Sequence, residues 1–214
     1  MEGTGENQKK KNNHVIKVET FPVSFSSTGI NNNNNLITNS SSNVSKAEII
    51  KQAINFHLKG DIQKAIKYYE KLINLRCSDH RVFSNYGIIL KDIGKLKEAE
   101  RMLRKSIELN PQYANAYSNL GLTLNGLENS QEAELLIRKA IELKPDFSQA
   151  HLNLGSILKD LGKPQEAEIS IRKSIELNPN LFNSHFLLGT ILIGQKRPQE
   201  AEQPLRKAIE LKPD

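Results

Sequence analysis

The chain has 214 residues, with 30 Lys plus Arg against 24 Asp plus Glu, a formal charge of +6 that is far from a polycation. A single cysteine, Cys77, excludes an intrachain disulfide framework and any zinc site built on several thiolates. No run of about 18 apolar residues is present, and the first residues lack the apolar stretch of a secretory leader, so the expectation is a cytoplasmic protein with no membrane span.

Residues 1–45 carry Asn31 to Asn35 in a row, a serine cluster and Lys9 to Lys11. Such a segment buries too little apolar surface to offset an ordering cost of about 1–2 kcal/mol per residue, and it reads as disordered. Its one apolar stretch, Val15 to Phe25, alternates weakly and does not make a stable strand alone.

From Lys46 the pattern becomes helical and repeats. Pro111, Pro145, Pro179 and Pro213 lie 34 residues apart, as do Gly87, Gly121, Gly155 and Gly189, and Ala65, Ala99, Ala133, Ala167 and Ala201. A fixed period without gaps marks a stacked repeat, with units at 46–79, 80–113, 114–147, 148–181 and 182–214. In the third unit Tyr117, Leu120, Gly121 and Leu124 share one helix face, and Ala133, Ile137, Ala140 and Ile141 mark a second amphipathic helix. Gly60, Gly94 and Gly162 supply the turn between them in units one, two and four. Units three and five have Glu128 and Lys196 there, with Gly126 and Gly194 two positions earlier, so their first helices are expected to end early. Pro111, Pro145 and Pro179 stop the second helices. Each unit is therefore a helix pair that buries its apolar face only by stacking on its neighbours.

The fold class is all-α, and the series Tyr117, Leu120-Gly121, Leu124, Ala133, Ile137, Ala140, Pro145 resembles the tetratricopeptide repeat (TPR). The resemblance covers 46–214. It is weakest in unit one, where Gln52-Ala53 replaces Leu-Gly and Cys77 replaces Pro. It implies a right-handed superhelix of five hairpins with a concave groove lined by the first helix of each pair. In that geometry the position two before each Leu-Gly glycine faces the groove, and it holds Asn85, Asn119 and Asn153, with Lys51 and Leu187 breaking the series. Ser84, Ser118 and Gln149 stand beside them as further candidate peptide-binding residues.

A carboxamide offers a donor and an acceptor, which matches a peptide unit. Helices about 8–10 Å apart would present one rung to every three or so residues of an extended ligand. A similar asparagine ladder is known in the TPR arm of O-GlcNAc transferases. The alternative is that these asparagines are ordinary framework residues of the repeat. On the ladder reading, replacing Asn119 and Asn153 should weaken binding and barely move stability. The two-carboxylate clamp of TPR chaperone adaptors is not matched: its positions hold Ser84, Ile88, Asn119, Gln149 and Asn153, and only the central asparagine fits.

On the second helices Glu100, Arg104 and Glu108, and their counterparts in later units, are spaced four apart and read as a self-paired solvated surface. No nucleotide-binding, zincin or nucleophile-elbow motif occurs, and no cofactor is implied. His151 and His185 open their units at an aromatic position and read as packing residues, and Cys77 reads as a small packed thiol. Units one and two carry a charge of +3 each, unit three −2, unit four none and unit five +1, without the dense basic stripe that nucleic acid needs. Because the sequence stops at Asp214 and Pro204 lies within the last helix, unit five is expected to be the least stable, or to be covered through self-association. The expected function is a non-catalytic scaffold that binds a peptide or protein segment in the groove. The alternative is the TPR arm of a glycosyltransferase, sulfotransferase or methyltransferase system whose catalytic domain lies on a longer or separate chain.

Overall fold

The computed structural model describes residues 45–212; most of the tail expected to be disordered, residues 1–44, lies outside them, as do Pro213 and Asp214. The described residues form ten helices and no strand: α1 (Lys46–Leu58), α2 (Ile62–Asn74), α3 (His80–Asp92), α4 (Leu96–Leu109), α5 (Ala114–Gly126), α6 (Ser130–Leu143), α7 (Ser148–Asp160), α8 (Pro164–Leu177), α9 (Phe182–Gly194) and α10 (Pro198–Leu211). Consecutive helices pair into five hairpins. Each second helix packs on the next first helix, and α3, α5, α7 and α9 also touch one another in series. This is the all-α repeat superhelix that the resemblance to the tetratricopeptide repeat implies.

Every first helix ends in the same way. The N–H two residues past the C-cap bonds back to the third-last carbonyl of the helix, as in Asp61 to Phe56, Lys95 to Leu90, Asn129 to Leu124, Lys163 to Leu158 and Arg197 to Leu192, all at 2.8–2.9 Å. That geometry places the residue between in the left-handed region. Gly60, Gly94 and Gly162 are there at φ +76°, +82° and +73°. Glu128 and Lys196 are there too, at φ 63° and 60°. The expected early termination of α5 and α9 is therefore corrected: both run 13 residues, as α3 and α7 do, and a non-glycine residue takes the strained turn. The cause is tertiary. A first helix one turn shorter would lose its last contacts with the preceding hairpin, and one left-handed residue costs only about 1–2 kcal/mol.

The second helices end differently. Asn110, Lys144 and Asn178 adopt extended backbone, φ −143° to −146°, because the proline that follows each excludes helical geometry from its predecessor. The first hairpin has no such proline. There Arg76 takes φ 51° and Cys77 N–H bonds Leu72 O at 3.0 Å, so a left-handed cap replaces the Pro stop and Cys77 turns into the core, 8% exposed.

Two apolar clusters fill the array. The one from α1 to α4 is partly aromatic, with Tyr69, Phe83 and Tyr86. The one from Leu103 onward is aliphatic. Within hairpins the helices cross at the conserved-spacing glycines: a β-carbon on Gly87 would lie 2.7 Å from Leu103 Cγ, and one on Gly121 2.7 Å from Ile137 Cδ1.

Relieving the turn strain should stabilise the fold. Glu128→Gly and Lys196→Gly are each expected to raise the unfolding free energy by about 0.5–1 kcal/mol in urea titrations, the gain left after the backbone entropy of glycine is set against the left-handed cost.

Candidate peptide-binding face

Gln149, Asn153 and Ser156 follow one another at helical spacing on α7, and the contacts of the first two define what that face does. Asn153 is 1% exposed. Its Nδ2 donates to Ser118 Oγ on α5 at 3.0 Å, and its Oδ1 accepts from Gln149 Nε2 at 3.1 Å. Both ends of this carboxamide are thus engaged within the array, and one of them ties α7 to α5. Asn85 is fully buried beside the Tyr69 hydroxyl, whose pKa is driven up by burial while Asn85 opposes the shift. Ser84 is likewise fully buried, next to the Tyr113 hydroxyl, which burial pushes up to about 12. Asn119 is 9% exposed, and its backbone carbonyl accepts from Thr123 Oγ1 at 2.9 Å.

The structure brings Ser118, Gln149 and Asn153 together and sets Ser84 and Asn85 in the interior of the second unit. Of the asparagines in the ladder, Asn153 has both its donor and its acceptor engaged inside the fold. Asn153 looks across to the preceding first helix, so one of its polar partners, Ser118, belongs to the neighbouring unit.

The side chains that reach solvent on this face are one turn earlier. Asn115, Gln149 and Asn183 are 34 residues apart, half-buried, and four residues before Asn119, Asn153 and Leu187 on the same helix face. Asn115 and Asn183 were missed in the sequence reading, although their period was a visible signal. On the opposite side, the expected i, i+4 pairs form, with Arg104 Nε on Glu100 at 3.0 Å and Arg138 Nε on Glu134 at 2.9 Å. The same guanidinium groups also cross to the next unit, Arg104 to Glu132 at 2.8 Å and Arg138 to Glu166 at 3.0 Å. The Arg104 bond holds Glu132 below the usual carboxylate range.

The four histidines among the described residues are engaged structurally. His151 Nε2 lies 3.0 Å from Pro145 O and His185 Nε2 2.8 Å from Pro179 O, each binding the loop that closes the preceding unit. His57 packs edge-on to Tyr69, and His80 to Tyr113 at 4.6 Å between ring centroids. Among the described residues no group of three His, Cys, Asp or Glu side chains is placed to hold a metal ion, and no helix is long and apolar enough to cross a membrane.

The tetratricopeptide-repeat family models match residues 53–76, 80–113 and 148–181 in one form and 102–134 and 171–203 in another, together more than half of the chain. The chain belongs to the tetratricopeptide-repeat family. Solved TPR structures share its fold. MamA is 24% identical over 78% of this chain and 91% of its own, with a TM-score of 0.64. MamA from Desulfovibrio magneticus RS-1 is 18% identical over 78% of this chain and 94% of its own, at 0.66. YrrB, a TPR protein with an unusual peptide-binding site, is 22% identical over 79% of this chain and 88% of its own, at 0.60. No curated protein matches the chain.

Two outcomes follow for this TPR array. Asn153→Ala strips Ser118 Oγ of its donor and Gln149 of its acceptor, so it is expected to cost about 1–3 kcal/mol in chemical denaturation. His57 and His80 both have pKa values lowered from 6.5, chiefly by burial. Below 6.5 the unfolded chain then binds more protons than the fold, so stability is complete above that pH and falls as the pH drops towards the lowered values. Urea midpoints at pH 7.5 and 5.5 should show this loss, and His57→Leu should reduce it.

Proposed function

We propose that the chain is a non-catalytic scaffold that holds an extended segment of a partner protein along its first-helix face. The carrying observation is the division of labour on that face. In the buried row Asn85, Asn119 and Asn153, Asn153 ties α7 to α5, and the half-buried carboxamides Asn115, Gln149 and Asn183 stand one turn earlier at the same period. A carboxamide series with the period of the stack suits backbone N–H and C=O groups of a chain lying across successive helices. Such recognition reads the extended backbone more than side-chain identity, which fits a neutral polar face. YrrB supports the reading as a TPR protein with a peptide-binding site.

The test is positional. A photo-crosslinking residue placed at Asn115 should capture a partner from the native cell extract, and the same residue at Leu135, 68% exposed on a second helix, should not. Asn115→Ala with Asn183→Ala is expected to weaken binding of the captured partner about tenfold, at one lost hydrogen bond of roughly 0.5–1.5 kcal/mol per side chain, with little change in stability. Capture that is equal at both positions would place the partner elsewhere.

A further inference from the structure

Among the described residues no helix packs on the outer side of α9 and α10. The positions that meet a following unit elsewhere are apolar and open there. Phe186 is exposed and stacks on Phe182 at 5.9 Å between ring centroids, where units two, three and four bury Ser84, Ser118 and Leu152. Ile193, 53% exposed, lies two turns further along that face, where those units carry Lys91, Asn125 and Lys159. On α10 Ile209 is 65% exposed, whereas Ile107, Ile141 and Ile175 pack on the core. The charges of this face are also short of partners. In the upper units Arg104 and Arg138 cross to Glu132 and Glu166, and Glu134 and Glu168 receive Lys163 and Arg197 from the following unit. Glu202 and Arg206 hold the same positions in α10 and pair only with each other, at 2.8 Å, among the described residues.

The opposite end of the array does not fit this face. Ser184 turns toward α8, with its Oγ 2.8 Å from Ser174 Oγ, and Ile191 lies two turns on along the same side of α9. Both positions are buried in units two to five, the first as Val82, Ala116, Ala150 and Ser184, the second as Ile89, Thr123, Ile157 and Ile191. In α1 they are Glu48 and Asn55, both exposed. At the start of α2, Asp61 and Lys64 stand where later units place Lys163 and Glu166, or Arg197 and Glu200. Both signs are reversed, so unit one of another copy would set Asp61 on Glu202 and Lys64 on Arg206, and like charges brought together are costly.

We propose that the outer face of unit five binds the same face of a second copy of this chain, in a closed two-fold dimer. A two-fold contact is self-complementary, so two antiparallel α10 helices bring Arg206 of each copy to Glu202 of the other. Leu205 and Ile209 beside that pair, and Phe186 and Ile193 on α9, are covered by their counterparts. The remaining charges of α10 do not oppose the contact, since Glu200 is paired with Arg197, Lys207 with Glu210, and Lys212 lies over the Phe182 ring.

The experiment is analytical ultracentrifugation of the full chain over a micromolar-to-millimolar series. A monomer–dimer equilibrium with no larger species is expected. Ile209→Asp should weaken the dimer about tenfold or more, because it buries a charge where an aliphatic group was covered. Arg206→Glu and Glu202→Arg should each abolish self-association, since each gives the face one sign. An equimolar mixture of these two variants should recover the dimer, because each copy then presents what the other lacks. Both side chains are well exposed, so circular dichroism should show the fold of each variant intact. Glu48→Ala should leave the dimer as it is. A chain that stays monomeric throughout would leave the face to another occupant and overturn the proposal. So would growth beyond two copies, a dimer indifferent to Ile209→Asp, or a mixture of the charge variants that stays monomeric. None of these substitutions alters the carboxamide row.

Discussion

In each of the last four hairpins a second-helix Leu or Ile sits where the side chain of a first-helix residue would be. Leu103 lies over Gly87, Ile137 over Gly121, Ile171 over Gly155 and Leu205 over Gly189. The alanine backbone adds a second limit, with Ala133 O 3.1 Å from a β-carbon on Gly121. Packed helices set their separation by the side chains at the contact. Glycine on one helix and a branched aliphatic on the other fix both the separation and the rotation of the pair. Because the same contact recurs each period, successive hairpins share one geometry, and residues of equal phase line up along the array. The buried asparagine row, the exposed carboxamides and the cross-unit ion pairs all depend on that alignment.

Alignment also explains why polar residues can sit inside. A buried amide costs free energy unless its donor and acceptor are met. Asn153 meets this demand through Ser118 and Gln149, one from the preceding unit and one from its own helix. Ser174 does the same at the other crossing, between Ser148 O at 2.9 Å and Ser184 Oγ at 2.8 Å. Short polar side chains at close crossings thus act as ties between units, where a longer residue would force the helices apart. The exposed ion pairs of the second helices are weaker individually, about 0–1 kcal/mol each. Linked as Arg104–Glu132 and Arg138–Glu166 they nevertheless orient one unit on the next.

Much of this was legible in the sequence, because glycine, alanine and proline act locally. Pro111, Pro145 and Pro179 end helices whatever surrounds them, and Gly60, Gly94 and Gly162 turn the chain at no steric cost. What escaped the reading is what neighbours impose. Glu128 and Lys196 adopt left-handed backbone against their own preference because the hairpin requires a turn there, and Gly126 and Gly194 misled by offering a local alternative. The fate of Asn153 depends on Ser118, 35 residues away, and the second partner of Arg104 is Glu132, 28 residues away. Those offsets are close to the period but differ from it. They become visible only when the faces of two helices are placed together.

The two sides of the array differ in how freely they can change. On the first-helix side, Asn153 joins α7 to α5, so an alteration is felt by the preceding unit. On the second-helix side each junction is closed by its own residue of the same period: Met102 with Tyr69 and Tyr86 near the start, Leu136 in the middle, then the smaller Ser170 and Pro204 towards the end. Replacing a side chain there opens or fills one cleft and leaves the glycine crossings beneath untouched. Pro204 is accommodated because α10 continues through it, from Pro198 to Leu211, with Leu205 still seated over Gly189. A continuous face and a set of separate junctions are thus built from one repeat, since the contact that spaces the helices is distinct from the side chains that fill the gaps between them.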